Sequence, residues 1–238
     1  MKNKVIILIF LSLAIILSSC IFIGPSKKGN GHVVEQTRKV SSFDEIKVSR
    51  GMNVYISQGN ETRVVVKADE NLLDIIRTEV ENHTLKVTTS ENIRRASSKK
   101  VYVTVPEISA ITSVAGSNVF SENVLHSKQL EVSGSAGSNI KLEVDAGELN
   151  ASASAGSNIK LEGKTKSFTG KASSGANIKA EGLTTGDCNV RASSGANLWI
   201  TVTDNLEAKA NSGGNVIYFG QPKSTDTESS SGGNIVKR

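Results

Sequence analysis

The sequence predicts an all-β chain wound as a parallel β-solenoid with coils of about 19 residues. Two observations predict it. In residues 109–235 one phrase (small residue, Gly, small residue, Asn, aliphatic) occurs seven times. Its asparagines, Asn118, Asn139, Asn158, Asn177, Asn197, Asn215 and Asn234, are spaced 21, 19, 19, 20, 18 and 19 residues apart. Within each copy apolar and polar residues alternate, as in Ile140-Lys141-Leu142-Glu143-Val144, the two-residue period of a strand with one buried face. A helix would need apolar residues three and four apart, and each Gly inside it would cost up to ~1 kcal/mol.

Aligned on Asn, the copies keep their chemistry column by column. The next residue is always aliphatic: Val119, Ile140, Ile159, Ile178, Leu198, Val216, Ile235. Nine before Asn stand Leu130, Leu149, Phe168, Cys188 and Leu206; seven before, Ile111, Val132, Ala151, Val190 and Ala208. Two or three strands of four to six residues per copy suit one coil, each stacking on the next at ~4.8 Å. The Asn column fits as a structural ladder, because a side-chain amide both donates and accepts. Asn and the neighbouring glycines also tolerate the left-handed backbone of a tight corner.

At the start, residues 1–19 read as a lipoprotein signal peptide: Lys2 and Lys4, an apolar run too short for the ~20 residues of a membrane span, then Leu17-Ser18-Ser19-Cys20. The last four residues resemble the bacterial lipobox, which implies a diacylated Cys20 as mature N-terminus and a membrane as first partner. Residues 20–32 read as a polar tether without acidic residues. Residues 33–106 form an N-terminal β region that continues or caps the solenoid. Strands are expected at 43–48, 52–56, 63–67, 84–88 and 101–105, and one helix-like turn at 71–76. Gly51-Met52-Asn53-Val54 looks like a degenerate copy of the phrase. Residues 107–238 are the repeat solenoid.

Composition excludes several functions. Beyond the signal segment 26 basic residues face 23 acidic ones, and the six Phe, three Tyr and one Trp of the whole chain give no stacking platform, so nucleic acid is not expected as a partner. With Cys20 acylated, Cys188 stands alone in a core column and reads as a small hydrophobe. His32, His83 and His126 are scattered, and no cofactor or metal motif is present. Gly163-Lys164-Thr165 lacks the first glycine of a P-loop, since position 158 is Asn158. Stacking would align Glu143, Glu162 and Glu181 beside Lys141, Lys160 and Lys179, a mutually neutralising outer surface without the convergent carboxylates of a glycosidase.

Phe43-Asp44-Glu45-Ile46, Gly51-Met52-Asn53-Val54-Tyr55-Ile56, Ala68-Asp69-Glu70-Asn71-Leu72-Leu73, Leu85-Lys86-Val87 and Val101-Tyr102-Val103-Thr104-Val105-Pro106 lead in this order into the Gly-Ser-Asn repeats. Together they resemble the auto-transporter adhesin family with a head GIN domain, formerly a domain of unknown function. The resemblance covers about residues 33–235. It implies a right-handed parallel β-helix in envelope proteins, often lipoproteins, of Bacteroidetes-type bacteria. The expected function is a non-enzymatic, lipid-anchored binding scaffold of the cell envelope and outer membrane. It would present a repetitive polar face to an extended glycan or another envelope protein. A polysaccharide-active enzyme and a passive structural or signalling component are the alternatives.

Overall fold

The computed structural model describes residues 26–238. Nine strands precede the repeats: β1 (Ser26–Lys28), β2 (Val33–Arg38), β3 (Glu45–Val48), β4 (Asn53–Gln58), β5 (Arg63–Asp69), β6 (Ile76–Glu81), β7 (Thr84–Thr89), β8 (Asn92–Arg95) and β9 (Lys99–Val105). Ten build the repeat region: β10 (Ala110–Ser113), β11 (Asn118–Ser121), β12 (Leu125–Gly134), β13 (Asn139–Ala153), β14 (Asn158–Ala172), β15 (Asn177–Ala192), β16 (Asn197–Ala210), β17 (Asn215–Gly220), β18 (Ser224–Ser229) and β19 (Asn234–Lys237). Neighbouring coils pair in parallel and in register, so Asn139, Asn158, Asn177, Asn197, Asn215 and Asn234 lie one above another. The chain is a parallel β-solenoid with coils of about 19 residues.

Each phrase makes the corner that starts a coil. Ala136 (φ 50°) and Gly137 (φ 69°) are both left-handed, and Ser138 N–H donates to Ser135 C=O across them at 3.3 Å, a type I′ turn. The same pair of conformations recurs at every copy, from Ala115-Gly116 to Ser231-Gly232. A non-Gly left-handed residue costs about 1–2 kcal/mol. Stacking offsets part of it, because each turn Gly N–H donates to the carbonyl of the next coil's left-handed residue, as Gly137 to Ala155 at 3.0 Å. The asparagine itself is not the left-handed residue. It opens the strand that follows, and Ala or Ser three positions before it carries the positive φ.

The expected short strands are fused: β13 to β16 run 14 to 16 residues without a break. From β12 to β15 single residues drop out of register at the bend, Lys128, Gly147 and Lys166 among them, and between β15 and β16 the skips lengthen to residues 181–183 on one strand and Thr203 and Asp204 on the other. Inward positions form one continuous core of Ile, Leu, Val and Ala. Volume is traded between columns: Phe168 stands where other coils have Leu or Cys, and Gly170 leaves the room its ring needs, since a Cβ there would lie 2.7 Å from Phe168.

The N-terminal region contains both a coil and a cap. β3 and β4 pair in parallel with β10 and β11 on one side and with β7 and β9 on the other. The chain therefore lays down the coil of β3–β4, builds the outermost coil from β7 and β9, and returns to continue at β10. Antiparallel strands cover the outer edge: β5 on β9, β2 on β5, and β6 on β7. That cover replaces the open edge of the coil, the feature that invites aggregation, with two edge strands of six residues, β2 and β6. The helix-like stretch is a single 3-10 turn at Glu70–Leu72, and Ile76 already belongs to β6. From Ser26 on, the expected tether is docked: β1 pairs in parallel with β8. At the far end the inward positions of β18, Thr225, Thr227 and Ser229, are polar and exposed where β16 has Leu206, Ala208 and Ala210.

Candidate functional site

Every strand that begins at the phrase points positions 0, +2 and +4 from Asn away from the core, because side chains alternate along a strand. Stacking turns these positions into three vertical columns on one face. The first is a file of amides. Asn118 Nδ2 donates to Asn53 Oδ1 at 2.7 Å, Asn139 to Asn118 at 2.9 Å, Asn158 to Asn139 at 3.2 Å, Asn177 to Asn158 at 3.0 Å, Asn197 to Asn177 at 3.0 Å and Asn215 to Asn197 at 3.0 Å. All the donors point the same way, toward the capped end. Asn234 keeps the backbone register with Asn215, but the hydrogen-bonded file ends at Asn215. Asn53 is its first member, 65 residues before Asn118 in the chain.

The second column is mixed: Tyr102, Tyr55, Phe120, Lys141, Lys160, Lys179, Trp199, Ile217 and Val236 stand in register. The ~4.8 Å rise forces adjacent rings to stack. The Tyr55 ring lies 5.1 Å from Tyr102 and 5.3 Å from Phe120, at interplanar angles of 22° and 29°. The ring faces therefore cover one another, and their edges and the tyrosine hydroxyls are turned outward. Cations lie beside the aromatic groups: Lys100 Nζ lies 5.4 Å from the Tyr55 ring centre, and Lys179 Nζ 5.9 Å from that of Trp199. Alignment of Gly51-Met52-Asn53-Val54-Tyr55 with the repeats would have placed Tyr55 beside Phe120. Tyr102 carries no such signal, because no Asn phrase precedes it.

The third column is polar and acidic, with Ser57, Glu143 and Glu162. Glu143 faces Glu162, but Gly182 faces Glu162 on the other side, and a register shift moves Glu181 out of the column. A short bond from Lys160, 2.6 Å from the carboxylate, holds Glu162 below the usual carboxylate range and raises Lys160. A carboxylate held ionised in this way is a poor general acid.

The other residues singled out in the sequence fall elsewhere. Cys20 lies outside the described residues. Cys188 is buried, and burial pushes its thiol up to about 12. His32 meets Glu70 at 3.2 Å and His126 approaches Asp145 at 3.7 Å, both on the surface and far from one another in the fold. Among the described residues no three His, Cys, Asp or Glu are placed to hold a metal ion, and no helix is long and apolar enough to cross a membrane. A shallow cleft of about 620 Å³ opens where residues 126–128, 145–147 and 164–166 bend.

The family described as "Putative auto-transporter adhesin, head GIN domain" matches residues 42–222. The chain belongs to this family. Solved structures share the fold of this head GIN domain. A "putative adhesin" from Bacteroides fragilis superposes with a TM-score of 0.81 at 19% identity, covering 89% of this chain and all of that one. A "putative adhesin" from Parabacteroides merdae gives 0.74 at 18%, covering 90% and 99%. A "putative lipid binding protein" from Parabacteroides distasonis gives 0.70 at 20%, covering 90% and 100%. No curated protein matches the chain.

Proposed function

We propose that this head GIN domain protein is a non-enzymatic binding scaffold of the cell envelope, anchored through a lipid on Cys20, whose outer face of Asn, aromatic–Lys and Glu/Ser columns binds an extended glycan. The observation that carries the reading is the in-register stacking of chemically constant columns over successive coils. A polymer lying along such a face meets amides, ammonium groups and hydroxyls at each ~4.8 Å rise, and many weak contacts sum to useful affinity. Family membership supports a binding role. Carboxylates do share one shallow cleft, Asp187, Glu207 and Asp226, but Asp187 and Glu207 already accept from the Asn205 and Asn189 amides, and the ion-paired Glu162 does not supply the acid. Purified mature protein on a glycan array is the test. Binding to at least one extended glycan is expected, weakened about tenfold or more when Trp199→Ala is combined with Lys141→Ala. A blank array together with a blank pull-down from envelope extract overturns the reading. Release of reducing ends that stops on Glu162→Gln would establish the enzyme instead.

A further inference from the structure

The positive charge of the chain is concentrated in one lobe. From residue 21 on there are 26 basic and 23 acidic residues, and residues 26–32 and 91–100 hold six of the basic and one of the acidic. Asp69 and Glu70, which contact these segments, add two acidic groups, and the rest of the chain, 20 basic against 20 acidic, is balanced. The six are Lys27 and Lys28 around β1 and Arg94, Arg95, Lys99 and Lys100 around β8 and the start of β9. The pairing of β1 with β8, with Lys28 opposite Arg95, brings the two segments together. None of the six pairs with a carboxylate among the described residues. Lys28, Arg94 and Arg95 are exposed.

The lobe is held rigidly on the cap. Gly29 N–H donates to Arg95 C=O at 2.8 Å, and Asn71 Nδ2 to Lys28 C=O at 2.9 Å. The buried Asp69 accepts from Gly31 N–H and Ser98 N–H, each at 2.9 Å. Burial pushes its carboxyl up, but these N–H donors outweigh burial and hold it below its usual range. A fixed array of like charges is costly unless it faces counter-charge. The lobe also lies beside the chain's entry. Only five residues, 21–25, separate Cys20 from β1, and at full extension they reach about 18 Å.

We propose that the β1–β8 lobe is a membrane-contact surface for anionic phospholipid headgroups, a second signal beside the lipid on Cys20. It rests on the lipid-anchor part of the function proposed above. Acyl chains on Cys20 hold the protein at the bilayer, and basic residues beside an anionic surface add attraction that orients the anchored domain. The contact seats the capped end on the bilayer. The file of coils from Lys100 to Asn234, about 40 Å at ~4.8 Å per coil, then rises away from it. Lys100, over Tyr55, marks where the lobe meets the amide and aromatic–Lys face, and that face from Asn118 onward stays clear for its ligand.

Binding of the unlipidated chain to vesicles tests the lobe separately from the anchor. A protein starting at residue 21 keeps every element of the fold and carries no acyl chain. It should sediment with vesicles in which a third of the lipid is phosphatidylglycerol, not with pure phosphatidylcholine, and high salt should release it. Each basic residue near an anionic surface contributes about fivefold, so the variant Lys27→Glu/Lys28→Glu/Arg94→Glu/Arg95→Glu should lose roughly a hundredfold or more. The control Lys128→Glu/Lys166→Glu/Lys171→Glu/Arg191→Glu changes net charge equally on other coils and should lose less than a few-fold. Both must unfold with the wild-type profile; if the lobe variant does not, the pair Lys28→Gln/Arg94→Gln replaces it, with roughly a tenfold loss expected. Equal losses in variant and control, or wild-type indifference to phosphatidylglycerol, overturn the proposal. Acylation of Cys20 is read independently by fatty-acid labelling in cells, so failure of the anchor and failure of the lobe give different results.

Discussion

The amide file has a direction, and aspartate can reveal it. Asn158 both gives and receives: its Nδ2 donates to Asn139 at 3.2 Å and its Oδ1 accepts from Asn177 at 3.0 Å. In Asn158→Asp the acceptor survives and the donor is lost, leaving carboxylate oxygen against the Asn139 amide oxygen. A lost neutral hydrogen bond costs about 0.5–1.5 kcal/mol, and the added oxygen–oxygen contact brings the total to ~1–2 kcal/mol, limited because water reaches this face. Asn53 stands at the file's receiving end. It accepts from Asn118 at 2.7 Å, and its neighbour on the other side is Lys100. Asn53→Asp keeps that bond and gains a charge beside a lysine, so its cost should be near zero. The assay is urea unfolding followed by far-ultraviolet circular dichroism. With a slope of ~2 kcal/mol/M the interior variant should fall by about 0.5–1 M in midpoint and the end variant should not move. Protonation restores a donor, so the interior deficit should narrow below about pH 4. Equal losses at the two sites, or a greater loss at Asn53, would refute a file with this polarity.

Other perturbations separate the forces that hold the coils. Ile159→Ala, a fully buried position beside the file, should cost about 2–5 kcal/mol, more than any single amide of the ladder, by the same unfolding assay. Gly137→Ala meets no atom within 4 Å and should cost only the left-handed term of ~1–2 kcal/mol, whereas Gly214→Ala puts a Cβ 2.4 Å from Ala192 C=O and should cost more. Asp69→Ala orphans the Gly31 and Ser98 N–H groups at about 1–3 kcal/mol each, and hydrogen exchange should show residues 26–31 opening first. Because the folded Asp69 carboxyl sits below its ordinary range, its contribution is complete above about pH 4 and lost as the pH falls through the folded value, so acid should loosen the same segment in the wild type. The Cys188 thiol, pushed up to about 12, should resist alkylation at pH 8 until urea unfolds the chain.

The repeat solenoid could be read from sequence because its information is local and periodic. Turn chemistry, alternation and the Asn column recur every coil, so errors at one copy are corrected by the others. The columns of Leu130, Leu149, Phe168, Cys188 and Leu206, and of Lys141, Lys160 and Lys179, stack as their spacing requires. Two finer expectations did not survive. The asparagines do not take the left-handed conformation, since the turn residues three and two before them already reverse the chain. Glu181 leaves its column because one coil is a residue longer between its asparagines, and the register absorbs the extra residue there.

By itself the sequence determined the parallel architecture, the coil length and the identity of the inward columns. All of these follow from residues close together in the chain. Only the tertiary structure decided that Asn53 heads the amide file from 65 residues away, that Tyr102 joins the lysine column next to Tyr55, and that residues 26–28 meet residues 92–95 in one basic lobe. The physical reason is shared. The N-terminal region lays down its coils out of chain order, and antiparallel strands then cover the outermost one. Contacts there are set by burying a common core and closing an exposed edge, and those requirements leave no period in the sequence to read.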